Sequence, residues 1–206
     1  MSVGVWTLVA FGSWTGVAVL LVLGFYRLGW FGWNPRTVEF LVYVALLFAA
    51  FSGALLATYT GVLLGATAIP AWNSHRRFLP LHFGIAGLGS AAAALELLAV
   101  ARHPEVALGR LGTLTAAAET LLLLWLLLDR HGAVDRALHH GWGGWLLLAA
   151  GIASGPLALG FRLDGWPLWA AASFLAGALL SRYGWLLAGR ASARDPEASL
   201  PPRDGV

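Results

Sequence analysis

Four polar side chains interrupt long apolar runs of the 206-residue chain, and their types suit proton transfer or ligand binding. Glu119 lies near the middle of one run and Arg182 lies towards the end of another. His82 begins a third run, and Tyr59 stands between two threonines in a fourth. Ionisable groups inside membrane spans are costly and rare, so each of these residues is a functional candidate.

Each candidate has a chemical role and a structural alternative. A carboxyl at the depth of Glu119 could carry protons or hydrogen-bond a ligand, or it could simply bond to a neighbouring helix, for instance through Thr115. Tyr59 offers a phenolic donor to a carbonyl ligand such as a quinone, or it is an interfacial tyrosine. Arg182 could instead snorkel to the interface, and His82 could be a packing residue.

The sequence gives little support for a metal or haem centre in this chain. The chain contains no Cys, which excludes thiolate-bound iron–sulfur clusters and Cys-based zinc sites. A b-type haem needs two axial ligands within the helices, and His82 is the only one of the six histidines inside an apolar run. We therefore expect no haem and no metal. Glu96, near the end of the run that contains His82, is interpreted as an interfacial carboxylate.

The composition identifies the elements that position these residues. Hydrophobic residues make up 59% of the chain and charged residues 11%, against about 25% charged residues in soluble domains. This disfavours a water-soluble enzyme and a disordered chain. The 13 basic residues are all arginines, and they fall mainly between the apolar runs rather than in one patch, so we expect a lipid bilayer and no nucleic acid as partner.

The apolar runs predict an all-α, polytopic transmembrane bundle, because helices satisfy their own backbone hydrogen bonds in lipid. The second run is too long for one perpendicular crossing, and Pro70 should end its helix at or before Ile69. We assign residues 1–189 to the membrane domain and residues 190–206 to a disordered polar tail. The six predicted spans are 3–23, the run beginning near 38, 79–101, 111–128, 142–161 and 166–187.

The order of the spans has two consequences. Tyr59, His82 and Arg182 all fall towards the membrane side that holds the N-terminus, so they could line one pocket if their helices are neighbours. Eight of the eleven Trp residues lie near predicted helix ends, as in the aromatic belts of membrane proteins. These are Trp30, Trp33, Trp72, Trp142, Trp145, Trp166, Trp169 and Trp185.

Several segments resemble the NrfD/PsrC family, the quinone-interacting membrane subunits of polysulfide reductase-type and nitrite reductase-type complexes. The central segments are YTGVLL at 59–64, IPAWN at 69–73 and FLPLHFGIAGLGSAAAALELL at 78–98. SRYGWLLAG at 181–189 resembles the last helix of the family, and MSVGVWTLVAFG at 1–12 resembles a mid-chain segment. The tyrosine–threonine–glycine to proline–tryptophan–asparagine block is the most specific part.

The resemblance implies a function. Family members bind a quinone or quinol (menaquinone or ubiquinone), hold no metal, and exchange electrons with a ferredoxin-like iron–sulfur subunit that contacts a catalytic, often molybdopterin, subunit. It therefore implies a multi-pass protein of the cell (plasma or inner) membrane that serves anaerobic respiration. Tyr59, in the matching motif, becomes the best candidate for quinone contact, and Glu119 resembles the intramembrane acidic position of family members. His82 and Arg182 are further quinone-binding or proton-relay candidates because of their position in the spans.

The chain also departs from the family, whose members typically have eight or more spans. The missing spans would precede Met1, so we expect Met1 to be an internal or late start. Two other functions remain open. One is a membrane anchor that no longer binds quinone. The other is a small transporter, although no pair of similarly interrupted spans indicates inverted repeats.

Overall fold

A computed structural model describes residues 2–29, 32, 34–99, 106–129, 138 and 141–195. Within these ranges the chain forms helices and connecting turns, with no strand. The principal helices are α1 (Val3–Tyr26), α2 (Pro35–Gly65), α3 (Pro70–Ser74), α4 (Phe78–Ala99), α5 (Val106–Leu128), α6 (Gly141–Ile152), a π-helical turn (Ala153–Leu157), α7 (Ala158–Leu163) and α8 (Pro167–Arg194).

Six crossings in the described part of the chain are long and apolar enough to span a membrane. They are α1, α2, α4, α5, the combined segment Gly141–Leu163, and α8. The predicted all-α bundle of about six spans is therefore confirmed, and the chain is built as a multi-pass membrane protein.

The predicted helix end agrees with the structure in the second crossing and differs from it in the last one. Helix α2 has 31 residues, about 46 Å at 1.5 Å per residue. It ends at Gly65, before Pro70 begins α3, as predicted. Helix α8 continues to Arg194, whereas the polar tail was expected from Arg190. The rest of that tail, 196–206, lies outside the described residues.

The chain divides into two compact units, 1–59 and 60–206. In the first unit, α1 packs against α2 through aromatic rings. Trp14 stacks on Phe48 with ring centroids 4.8 Å apart. A Cβ atom at Gly4 would overlap the ring of Tyr59, so glycine at this position allows the tyrosine to lie against the α1 backbone.

The core of the second unit is formed by α4, α5, α6 and α8. Glycines bring the backbones of these helices close together. A Cβ atom at Gly177 on α8 would lie 2.5 Å from the backbone nitrogen of Ser154. At Gly143 it would lie 2.8 Å from the nitrogen of Ala188. Small residues allow this approach, which is how membrane helices gain van der Waals contact without a hydrophobic driving force.

Of the tryptophans expected in an aromatic belt, Trp185 lies in this core and Trp72 is partly buried against it. Trp185 is 1% exposed, and Trp72 donates its indole N–H to the Trp185 carbonyl oxygen over 2.8 Å. A Cβ atom at Gly189 would overlap the Trp72 ring, so α3 docks against α8 at a glycine. The prediction was wrong for these two because nearness to a helix end does not show which way a ring points. Trp142 and Trp145 are 84% and 67% exposed, as expected of a belt.

The fifth crossing is interrupted by the π-helical turn, which contains Pro156. Proline has no N–H to donate within a helix, and single π turns accommodate such interruptions. The Ser173 hydroxyl of α8 donates to the Ala153 carbonyl oxygen over 2.7 Å. A Cβ atom at Gly155 would lie 2.9 Å from the Thr120 nitrogen. The turn is therefore held between α5 and α8.

Candidate functional site

The centre of the candidate site is a buried pair formed by His82 of α4 and Glu119 of α5. His82 Nδ1 lies 3.1 Å from Glu119 Oε2, and their side chains are 9% and 2% exposed. The other carboxyl oxygen, Oε1, is also buried and has no hydrogen-bond partner among the described residues. The interior position expected for Glu119 is confirmed.

The partner of Glu119 differs from the structural alternative considered above. The Thr115 hydroxyl bonds to the carbonyl oxygens of Leu111 and Gly112, within its own helix. His82 reaches Glu119 because α4 and α5 pack against each other in the second unit.

A histidine and a carboxyl in hydrogen-bond contact can share one proton. Either the ring N–H donates to a carboxylate oxygen, or a neutral carboxyl donates to the ring nitrogen. Burial makes the electrostatic difference between these arrangements large, because the dielectric response around the pair is weak. A hydrogen bond between Nδ1 and Oε2 therefore needs one proton, which either group can carry.

A small cavity adjoins the pair. Its volume is about 20 Å³, and the polar residues along it are His82, Glu119 and Ser181. The remaining lining is apolar and includes Phe78 and Trp185. Such a cavity is too small for a quinone headgroup.

Arg182 lies close to the same region. Its guanidinium carbon is 4.3 Å from the centroid of the Phe83 ring, a cation–π contact. Phe83 follows His82 directly, and Ser181, which precedes Arg182, lines the small cavity. The structure thus brings His82, Glu119 and the Arg182 segment together on α4, α5 and α8.

A larger pocket lies where α5 ends and α4 begins. Its volume is about 350 Å³, within the range of small-molecule sites. Phe78 lines both cavities. Its ring stacks on His82, with centroids 5.6 Å apart, and contacts Trp125 edge-on at 5.4 Å. We call this space the interfacial pocket; it is lined by Ser74, His75, Arg76, Arg77, Phe78, Trp125 and Asp129.

The sequence singled out none of the residues of the interfacial pocket, and His75 is the buried histidine among them. Its side chain is 1% exposed, and its Nε2 lies 4.0 Å from Asp129 Oδ2. Nδ1 lies 3.0 Å from the Ala71 carbonyl oxygen and 3.0 Å from the Ser74 hydroxyl. It was treated as a loop histidine because it falls just outside an apolar run.

Tyr59 belongs to the first unit, where its ring packs against Gly4. The other candidates, His82, Glu119 and Arg182, belong to the second unit. The predicted grouping of Tyr59 with His82 and Arg182 therefore stays a prediction. The histidines at 103, 131, 139 and 140 lie outside the described residues.

A second buried pair, at the other end of α4, was missed. Arg162 of α7 donates from Nη1 to Glu96 Oε1 over 2.9 Å and from Nη2 to Oε2 over 2.7 Å. Their side chains are 6% and 11% exposed. The interfacial position of Glu96 stays a prediction, but its carboxylate is held by Arg162, a partner that the sequence did not indicate. A Cβ atom at Gly112 would overlap the guanidinium, so glycine makes room for the pair.

The described residues hold no group of three or more His, Asp and Glu side chains that could bind a metal ion. Protein-family models, curated proteins and solved structures were compared with the chain, and none of them matches it.

Proposed function

We propose that this chain is the quinone- or quinol-interacting membrane subunit of a multi-subunit oxidoreductase. In this role it would exchange electrons with a ferredoxin-like iron–sulfur subunit, attached to a catalytic subunit of molybdopterin type, at the plasma or inner membrane. The observation that carries the proposal is the buried His82–Glu119 pair, which adjoins the interfacial pocket through Phe78. The sequence resemblance to the NrfD/PsrC family supports the same function.

The residues of the interfacial pocket fit a quinone headgroup. Phe78 and Trp125 offer ring faces and edges for stacking. Arg76 and Arg77 offer N–H donors to carbonyl oxygens. A volume of about 350 Å³ accommodates a small ring.

Quinol oxidation releases two electrons and two protons, and the protein must handle both. The electrons would pass to the iron–sulfur partner. For the protons, this chain offers His75 in the pocket and the His82–Glu119 pair beyond Phe78. The pair can accept a further proton on an atom outside the Nδ1–Oε2 hydrogen bond, such as Glu119 Oε1. The buried side chains around the pair keep bulk water away from it.

The test is quinol oxidation by the assembled complex carrying Glu119→Gln. This change keeps the size of the side chain and removes its titratable proton. A lost proton-transfer group typically lowers turnover by about 10²-fold or more. The matched control is Glu39→Gln, the same change at an exposed carboxyl of α2, which should leave turnover at the parental rate.

A second variant, Tyr59→Phe, tests the tyrosine of the family-like motif. Loss of a neutral hydrogen bond should cost about 0.5–1.5 kcal/mol, a few-fold to tenfold weaker quinol binding. Tyr43→Phe is its control, because Tyr43 lies on the same helix and is 72% exposed. If Glu119→Gln and Tyr59→Phe both assemble and both turn over at the parental rate, the chain is an anchor and not a quinone-interacting subunit.

A further inference from the structure

We infer that the second unit holds one internal water molecule, bound between Glu119 and Ser181 in the small cavity. The inference deepens the proposed function, because such a water would give the Glu119 carboxyl a second proton partner. It rests, however, on features of the protein without any quinone. The site is built by α4, α5, α6 and α8 together, and no sequence motif indicates it.

The first argument is the unpaired oxygen. Glu119 is 2% exposed, and its Oε1 has no hydrogen-bond partner in the described part of the chain. Leaving a buried polar atom without a partner costs about 1–3 kcal/mol, and more if the group is charged. Groups of this kind in native proteins usually bind an ordered water.

The second argument is the size of the space. A cavity needs roughly 10–15 Å³ to hold one water molecule, and this cavity has about 20 Å³. It therefore holds one water molecule but not a chain of waters. An apolar ligand would not fit, and a lipid tail would leave Glu119 Oε1 unpaired.

The third argument is the set of polar partners. A stable internal water needs two to four of them. Ser181 is 3% exposed, and its hydroxyl already donates to the Ala178 carbonyl oxygen over 2.9 Å. The Ser181 oxygen is therefore free to accept from the water, which is then able to donate to Ser181 and to Glu119. His82 is the third polar residue along the cavity.

A metal cation is a poorer occupant of this site. Calcium takes about six to eight oxygen ligands, whereas one carboxyl and one hydroxyl provide oxygens here, beside a histidine ring. Water satisfies Glu119 Oε1 in either protonation state, because water both donates and accepts. A proton could then reach Glu119 from His82 on one side and leave to the water on the other.

The experiment is an experimental structure of the complete protein, at a resolution that shows ordered water, for the parent and for Ser181→Ala. The parent should show a density peak within hydrogen-bond distance of both Glu119 Oε1 and Ser181 Oγ. Ser181→Ala removes one partner and should lose the peak. Ser154→Ala is the matched control: Ser154 is also buried and bonds within its own helix to the Ala150 carbonyl oxygen, so the peak should remain.

Three results would overturn the inference. The first is a parental map that resolves other buried waters but shows no peak beside Glu119. The second is a peak that persists unchanged in Ser181→Ala. The third is a peak surrounded by cation-like coordination. If Ser181→Ala does not fold, the parental map and the map of Glu119→Gln decide the question. An amide at position 119 still offers polar atoms to the water, so the density peak should remain in Glu119→Gln, and its loss there would contradict the inference. The result is independent of quinol turnover, so the water site can stand even if the proposed function fails.

Discussion

Helix α4 carries a buried polar pair near each end, and the two pairs are built differently. At Glu96, both carboxyl oxygens receive hydrogen bonds from Arg162, at 2.9 Å and 2.7 Å. At the other end, His82 contacts one oxygen of Glu119 while the second has no partner among the described residues. In the first pair both carboxyl oxygens are bonded, although Arg162 Nε has no partner among the described residues. In the second pair one carboxyl oxygen has no partner, and the pair adjoins a cavity.

The difference separates a structural role from a chemical one. A bidentate pair fixes its geometry, and neither partner can change protonation without losing the other. The Glu96–Arg162 pair therefore ties α4 to α7, and Gly112 of α5 gives it space. The His82–Glu119 pair has a single contact, between Nδ1 and Oε2, so its geometry is less tightly fixed. This contrast supports the proposed role of the His82 end of α4, and it can be tested by making the same changes at both ends.

The largest effect is expected from Glu96→Gln, which leaves the Arg162 guanidinium buried without its counter-charge. Removing one partner of a buried ion pair typically costs about 3–5 kcal/mol. The measurement is the free energy of unfolding of the purified protein in mixed detergent micelles. A double variant, Glu96→Gln with Arg162→Leu, should recover much of the loss, because no uncompensated charge remains.

The exposed carboxyl of Glu39 again supplies the reference. Two results would show that the Glu96–Arg162 pair does not hold α4 to α7. One is that Glu96→Gln is no more destabilising than Glu39→Gln, and the other is that the double variant has a lower free energy of unfolding than Glu96→Gln alone.

The sequence predicted the helices well because hydropathy acts locally. Each crossing needs about 20 apolar residues, and such a run can be recognised without knowing which helices pack beside it. It also identified Glu119 as an interior residue, since a charged carboxylate facing lipid would cost at least about 2.5 kcal/mol. The end of α2 followed in the same way from the backbone restriction before Pro70.

The pairings could not be predicted, because they depend on which helices are neighbours and how each is rotated. His82 and Glu119 are 37 positions apart, and Glu96 and Arg162 are 66 apart. Membrane helices are apolar on all sides, so their sequence gives little information about which face meets which partner. The same reason explains why Trp185 was expected at the interface although it lies in the core.

An intermediate effect is expected from Gly112→Ala. The added methyl group would overlap the Arg162 guanidinium and push it away from Glu96. Overpacking of this kind typically costs about 1–3 kcal/mol. Gly109→Ala is a close control, because Gly109 lies one turn away on α5 and a Cβ atom there would meet nothing within 4 Å. In the same unfolding assay, Gly109→Ala should be neutral or slightly stabilising, since alanine favours the helix. Equal losses for both variants would show that the space around Arg162 is not tightly filled.

The smallest effect on stability is expected from Glu119→Gln. An amide can still bond to His82 Nδ1 over the 3.1 Å that separates the two groups, and a histidine, unlike an arginine, has a neutral form. The loss should be about 0.5–1.5 kcal/mol, the net contribution of one hydrogen bond. The same substitution would then cost much less stability at Glu119 than at Glu96. It would still remove the titratable carboxyl group that the proposed function uses. The paired measurement is the unfolding free energy of Glu96→Gln and Glu119→Gln in one detergent system. A loss at Glu119 as large as that at Glu96 would mean that His82 and Glu119 form a fixed ion pair, and the chemical difference between the two ends of α4 would disappear.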